Sequence, residues 1–196
     1  MRELIKMIVV LTVISVASGG LLAALREGTQ ERIELQTLEF VKGPAIRSVL
    51  QGSSNDPIAS RFQIKDGDVL RNFFVGVFDG QPTAVALETS TKGYKGDMGM
   101  MVALDVKQNK LIGVAVTTHA ETAGLGAKAQ SDPKFGGQFK GASVAAPLKV
   151  TQDGGSINAI SGATITSRAV CGGVSNALAV FEKLKPEILE KMKEVK

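Results

Sequence analysis

The chain has 196 residues, with 23 Lys plus Arg against 19 Asp plus Glu and a formal charge of +4, which leaves room for about one ordinary domain and excludes a large multidomain enzyme. Apolar residues at 44% and charged residues at 21% are close to globular averages, so a buried core is within reach and wholesale disorder is excluded. The small positive excess, a sole tyrosine (Tyr94) and the lack of tryptophan argue against nucleic-acid binding, and a single cysteine, Cys171, with no Cys/His cluster, argues against a disulfide, zinc or an iron–sulfur centre.

Residues 7–25 contain no charged side chain, and 19 residues at about 1.5 Å each nearly match a bilayer core of roughly 30 Å. They read as a retained transmembrane anchor, residues 1–25. A cleaved signal peptide is the competing reading, although its apolar region usually covers only about 7 to 15 residues. Arg2 and Lys6 precede the stretch and Arg26, Arg32 and Lys42 follow it, so charge does not orient it. A short amino end before a large domain suits a single-pass anchor in the cytoplasmic membrane with the soluble domain on the extracytoplasmic side.

Residues 26–50 have a helical pattern that Gly43 and Pro44 interrupt, and residues 26–57 are expected to form a stalk and linker ending in the turn-rich stretch 52–57. The domain proper is expected over 58–196. Strands are expected at 69–79 and 84–88, joined through Asp79-Gly80-Gln81-Pro82, and at 98–105 and 111–118 around Lys107-Gln108-Asn109-Lys110. A short helix at 133–139 precedes a longer one at 165–184, with Ile165, Ala169, Val174, Leu178 and Phe181 on one face, and a separate final helix begins near Pro186. The fold class is α+β: one N-terminal transmembrane helix, then a mostly antiparallel sheet with flanking helices.

The segment from Asn158 to Ser167 is a loop of small residues that opens into the long helix. Free N–H groups and the dipole at a helix start stabilise an anion by roughly 0.3–1 kcal/mol. Gly162 and Ala163 permit close approach to the main chain, Thr164, Thr166 and Ser167 supply hydroxyls, and Arg168 follows. Spacing alone favours the plainer reading, Ser161 or Thr164 as a simple helix cap. A second loop runs Thr118-His119-Ala120-Glu121-Thr122-Ala123-Gly124-Leu125-Gly126-Ala127-Lys128 after a strand. Its glycines permit unusual backbone angles, and Gly124-x-Gly126 lacks the parallel strand–turn–helix context of a dinucleotide fingerprint. Gly93-Tyr94-Lys95-Gly96 reads as a turn whose aromatic packs either in the core or beside a ligand. His119 alone is more often a satisfied residue than a ligand, and Cys171 reads as a small apolar residue. HExxH, Walker A and G-x-S-x-G patterns are absent, so no metal-binding and no catalytic residues are expected.

Together the three segments resemble the FMN-binding domain family. Ser161-Gly162-Ala163-Thr164 matches its flavinylation motif, Asp-x-x-Ser/Thr-Gly-Ala-Thr, with Asn158 in place of the Asp, and residues 119–126 match its His-x-Glu-Thr-x-Gly-Leu-Gly loop. The resemblance implies FMN esterified through its phosphate to Thr164, a bond made by a separate flavin transferase. It also implies a binding site completed by Ser161, Gly162, Ala163, Thr166, Ser167, His119, Glu121, Thr122, Gly124, Leu125, Gly126, Lys128 and Tyr94. Glu121 and Thr122 are expected to face the polar edge of the flavin and Leu125 its apolar face. Within the family, the anchor, stalk and motif order are similar to the G subunits of Rnf ion-translocating electron-transport complexes. That similarity implies an electron-carrying redox subunit, without an independent catalytic site, in a complex with membrane and iron–sulfur subunits that moves electrons between ferredoxin and NAD. The related C subunit of sodium-translocating NADH:quinone oxidoreductase, and a tethered module binding an anionic ligand without redox chemistry, are the alternatives.

Overall fold

The computed structural model describes residues 1–144 and 148–194, apart from the side chain of Glu31. Two compact units divide between Phe40 and Val41. In the first, helix α1 (Arg2–Gln36) is one uninterrupted rod whose apolar side chains are exposed, and residues Arg2–Gln30 are long and apolar enough to cross a membrane. A wider π-helical turn, Thr37–Lys42, follows directly.

In the second unit, helix α2 (Gly43–Val49) begins at the very Gly43-Pro44 pair expected to break the helical pattern. Proline near a helix start lacks only an N–H that has no partner there anyway, so Pro44 starts a helix instead of ending one. Ile46, Val49 and Leu50 are buried.

The sheet is a five-stranded antiparallel meander in the order β1-β2-β3-β4-β5: β1 (Arg61–Asp66), β2 (Val69–Phe78), β3 (Gln81–Lys92), β4 (Asp97–Asp105) and β5 (Lys110–Thr118). Asp79 and Gly80, with φ of 51° and 72°, form the tight turn between β2 and β3. The strand after that turn therefore begins at Gln81, not at Ala84, and Pro82 lies within it opposite Val77, where the register shifts. Strand β1 has no counterpart in the sequence reading; it is short, charged and at the sheet edge.

Continuous apolar runs such as Val85–Leu87 and Met100–Leu104 are buried on both sides, because different elements cover the two faces. Helix α2 packs on β4 and β5, and the long helix α5 (Thr164–Glu194) packs chiefly on β3. Short helices α3 (Lys128–Ser131) and α4 (Pro133–Gly137) lie against β5. Where the sequence pattern predicts two helices, α5 runs unbroken through Pro186. An internal proline costs about 3 kcal/mol. Ile188 and Met192 beyond it are 0% and 2% exposed, and burying each contributes about 1.5–3 kcal/mol, which offsets that cost. A partly buried ion network fixes the far end: Asp66 accepts from Arg71 at 2.8 Å and from Lys183 of α5 at 2.6 Å. Bonds from Lys183 and then Arg71 hold the Asp66 carboxyl below the usual carboxylate range.

Candidate functional site

Three segments distant in sequence converge on one open cleft of about 560 Å³: the β3–β4 turn, the loop after β5 and the start of α5. Its walls are Tyr94, Glu121, Thr122, Leu125, Gly126, Gly162, Ala163, Thr164, Ile165 and Thr166. Nine of these ten are expected site residues. The tenth, Ile165, is expected on the buried face of its helix, yet its side chain is 53% exposed in the cleft. The stripe that meets the sheet starts at Thr166 and continues through Val170, Val174 and Phe181, so Ile165, about 100° round the helix, faces away from it.

The start of α5 is built by its own loop. Gly162 has φ of 76° and turns the chain tightly, and a Cβ there would sit 3.1 Å from Leu125 Cδ2 across the cleft. The buried Ser167 hydroxyl donates to the Ala163 carbonyl at 3.0 Å and accepts the Ile160 N–H at 2.9 Å, which clamps loop to helix. Ser167 is thus structural and outside the cleft lining. Thr166 is 2% exposed, and its hydroxyl donates to Glu121 Oε2. Thr164 differs from both. It is half-buried, lines the cleft, and among the described residues none hydrogen-bonds its hydroxyl. Ser161 is exposed but lies outside the lining.

Glu121 is 8% exposed. Its Oε1 accepts the Lys95 N–H at 3.0 Å and its Oε2 accepts from Thr166; the Tyr94 N–H also reaches it. Burial pushes the carboxyl up, but these bonds, from Thr166 first and then Lys95 and Tyr94, together outweigh it and hold the group below its ordinary range. Both oxygens thus already accept from protein groups, and the side chain lines the cleft as well, where a carboxylate's remaining lone pairs can still meet a ligand donor. His119 Nδ1 accepts the Glu121 N–H at 3.2 Å and shapes the loop from outside the cleft. Gly124, with φ of 73°, turns the loop and Lys128 opens α3; neither lines the cleft.

Tyr94 is 63% exposed, Leu125 44% and Ile165 53%, so the turn aromatic is not a core residue and three apolar side chains stand open around one hollow. Arg168 forms a bidentate pair with Asp153, both bonds 2.7 Å, and its charge is engaged there. Asn158, at the motif's Asp position, is tied to Gln138 by three hydrogen bonds, one of them donated by its own side-chain amide at 3.1 Å. A carboxylate could not make that donation. Cys171 is buried, and burial pushes its thiol up to about 11, so it stays an inert thiol.

The arrangement suits a flat, amphipathic ligand with an anionic end. Apolar side chains can cover a ring, and the first-turn amides of α5, which have no carbonyl partners within the helix, together with a free hydroxyl can receive a phosphate. All ten lining residues fall inside the match to the FMN-binding domain, residues 93–179. At whole-chain scale, the ion-translocating oxidoreductase complex G subunit of Methanosarcina acetivorans is 32% identical over 179 residues, covering 90% of this chain and 94% of that protein. The chain belongs to this G-subunit family. The family member of Pseudomonas aeruginosa is 31% identical over 201 residues, covering 96% of this chain and 93% of its own. The crystal structure of Shewanella oneidensis NqrC shares the fold, with a TM-score of 0.52 and 21% identity over 74% of this chain and 71% of that one. As a member of the G-subunit family, the chain thus carries an FMN-binding domain on a compact sheet-and-helix scaffold.

Proposed function

We propose that this chain is the flavin-bearing electron carrier of a membrane-bound, ion-translocating Rnf-type complex, with FMN esterified through its phosphate to the Thr164 hydroxyl. The observation that carries the assignment is the contrast among four hydroxyls in one loop. Thr166 and Ser167 are buried and bonded within the protein, Ser161 stands outside the cleft, and of the four only Thr164 presents an unpaired hydroxyl in its wall, among the described residues. When bound, FMN supplies one- or two-electron transfer, which no side chain of this protein can.

The residues then have separate tasks. Thr164 holds the phosphorus end covalently, and the α5 amides stabilise its remaining charge. Leu125, Ile165 and Tyr94, exposed in the cleft wall, would cover the ring and reduce water access, and Thr122 and Gly126 would offer polar atoms to its edge. No acid–base pair is needed for a relay, which is consistent with a redox subunit that has no catalytic site of its own. A covalent link suits repeated cycling in a compartment without free FMN.

The helix Arg2–Gln30 and the membership of the family support a membrane-anchored chain. We assign residues 1–25 to the anchor and the flavin domain to the folded unit, whose start lies at Val41 and not at the expected residue 58 because α2 packs on β4 and β5, with the domain on the extracytoplasmic face of the cytoplasmic membrane. Protease added to intact spheroplasts then cleaves the domain, and full protection would reverse the orientation. The partners are the membrane and iron–sulfur subunits of the complex, and a flavin transferase for maturation.

The decisive measurement is the intact mass and ultraviolet fluorescence of acid-denatured protein from its native host. The wild-type chain should carry the added mass of one FMN less water and give a fluorescent band. Thr164→Ala should abolish both, whereas Thr166→Ala should retain a band. A band that survives Thr164→Ala and disappears with Thr166→Ala would move the ester to Thr166.

A further inference from the structure

The Glu121 side chain ties together all three segments of the cleft. It lies in the loop after β5, accepts the Lys95 and Tyr94 N–H groups of the β3–β4 turn, and accepts the Thr166 hydroxyl of α5. The turn closes on itself through Gly93 N–H donating to the Gly96 carbonyl at 2.8 Å, so it is a small rigid unit held from outside by one carboxylate. The surrounding backbone is shaped to admit that carboxylate. A Cβ on Gly93 would sit 2.5 Å from Glu121 Oε1, and one on Gly126 would sit 2.6 Å from Oε2 and 2.8 Å from Thr166 Oγ1. Both glycines are therefore needed for room around one side chain, independently of any ligand.

The consequence lies within two residues of each contact. Tyr94, whose own N–H binds Glu121, bears the exposed aromatic wall; Thr164, two residues before Thr166, bears the unpaired hydroxyl. We propose that Glu121 is a positioning residue, a latch that sets the distance between the Tyr94 wall and the first turn of α5 so that both meet a single ligand. This rests on the reading of the cleft as the flavin site for its effect on the cofactor, but the latch itself acts in the protein without flavin. It carries its charge into a buried place to satisfy two backbone donors and one hydroxyl at once, a task that a shorter or apolar side chain cannot perform.

The test uses the full-length chain in detergent, made with and without flavin transferase, as wild type, Glu121→Ala, Glu121→Gln and Thr166→Val. In flavin-free protein, amide exchange read by mass spectrometry over residues 93–96 should speed up by about tenfold or more in Glu121→Ala, as expected when a buried charged hydrogen bond is lost, while the β4 core stays protected. Thr166→Val keeps the side-chain shape and should give a smaller acceleration of the same segment. Glu121→Gln keeps an acceptor for the turn and can donate to Thr166, so it should stay close to wild type. Tyr94 is the sole tyrosine in a chain without tryptophan, and its emission anisotropy should fall in the same order. In protein made with the transferase, flavin occupancy should fall and the visible flavin spectrum shift in Glu121→Ala and Thr166→Val, with Glu121→Gln restoring both. Unchanged exchange at 93–96 in both Glu121→Ala and Thr166→Val overturns the latch, and so does a Glu121→Gln chain as loose as Glu121→Ala. If Glu121→Ala does not fold, Thr166→Val and Glu121→Gln decide. A wild-type chain without flavin mass refutes the cofactor reading and leaves the exchange comparison intact.

Discussion

Clefts of nearly equal size lie on the folded unit, and the contrast between two of them shows what suits one to a ligand. The cleft between α2, β5 and α4, about 540 Å³, is lined by Gln130, Asp132 and Lys140 among others. Two of its polar groups serve local structure: the Gln130 amide donates to the Val116 and Thr117 carbonyls, both at 3.1 Å, and Asp132 caps α4 by accepting the Lys134 N–H at 2.9 Å. The cleft at the start of α5, about 560 Å³, spends Glu121 and Thr166 in the same way but keeps an unpaired hydroxyl and a helix start facing three exposed apolar side chains. Volume does not separate the two. What separates them is the wall itself: only the second of the two sets the start of a long helix and a half-buried, unpaired hydroxyl opposite three exposed apolar side chains.

The comparison can be broken most severely with glycine substitutions. Gly126→Ala forces a methyl against Glu121 and Thr166, and should destabilise the domain by about 1–3 kcal/mol and sharply reduce flavin content. Gly137→Ala, in the other cleft, meets nothing within 4 Å and should be neutral or stabilising by up to about 1 kcal/mol. Thermal unfolding followed by circular dichroism measures both, and equal losses would mean that the two walls are under the same constraint.

A smaller effect sharpens the electrostatic side. The Glu121 carboxyl lies below its ordinary value of 4.5 in the folded protein, so its contribution to stability is fully present above about that pH. It is lost as the pH falls through the lowered folded value. Glu121→Gln should remove this part of the acid dependence from a melting-temperature profile between neutral and strongly acid pH. A profile parallel to wild type would show that the folded and unfolded carboxyls titrate alike.

Smallest of all is Arg168→Ala. Its guanidinium pairs with Asp153 on the surface instead of facing the cleft, so flavin content should be unchanged and the melting temperature nearly so. A marked loss of bound flavin would mean that Arg168 leaves Asp153 for the phosphate.

Much of the scaffold is legible in the sequence because its signals are local. Asp79-Gly80 is a hairpin turn by residue type, and the apolar runs around Lys107 to Lys110 mark a strand pair whatever surrounds them. Strand β1 is not legible. Its residues Arg61 to Asp66 carry little apolar bias, and they become a strand because β2 offers an edge and Asp66 meets Arg71 and Lys183. Pro186 misleads for a related reason: its local cost is real, but the burial of Ile188 and Met192 that outweighs it is a long-range effect.

At the site, it is the resemblance of Ser161 to Thr164 and of His119 to Gly126 to a known family's motifs that points to a flavin, whereas their residue types alone read as a helix cap and a glycine loop. Which hydroxyl is free, that Ile165 faces the ligand side, and that Glu121 binds protein groups are decided by the fold. The physical reason is the range of the interactions. Turn chemistry, helix starts and apolar periodicity depend on neighbours within a few residues, so the order of residues determines them. Whether a polar atom is satisfied depends on a partner brought from far along the chain, such as Thr166 to Glu121 across 45 positions, and only tertiary structure supplies it.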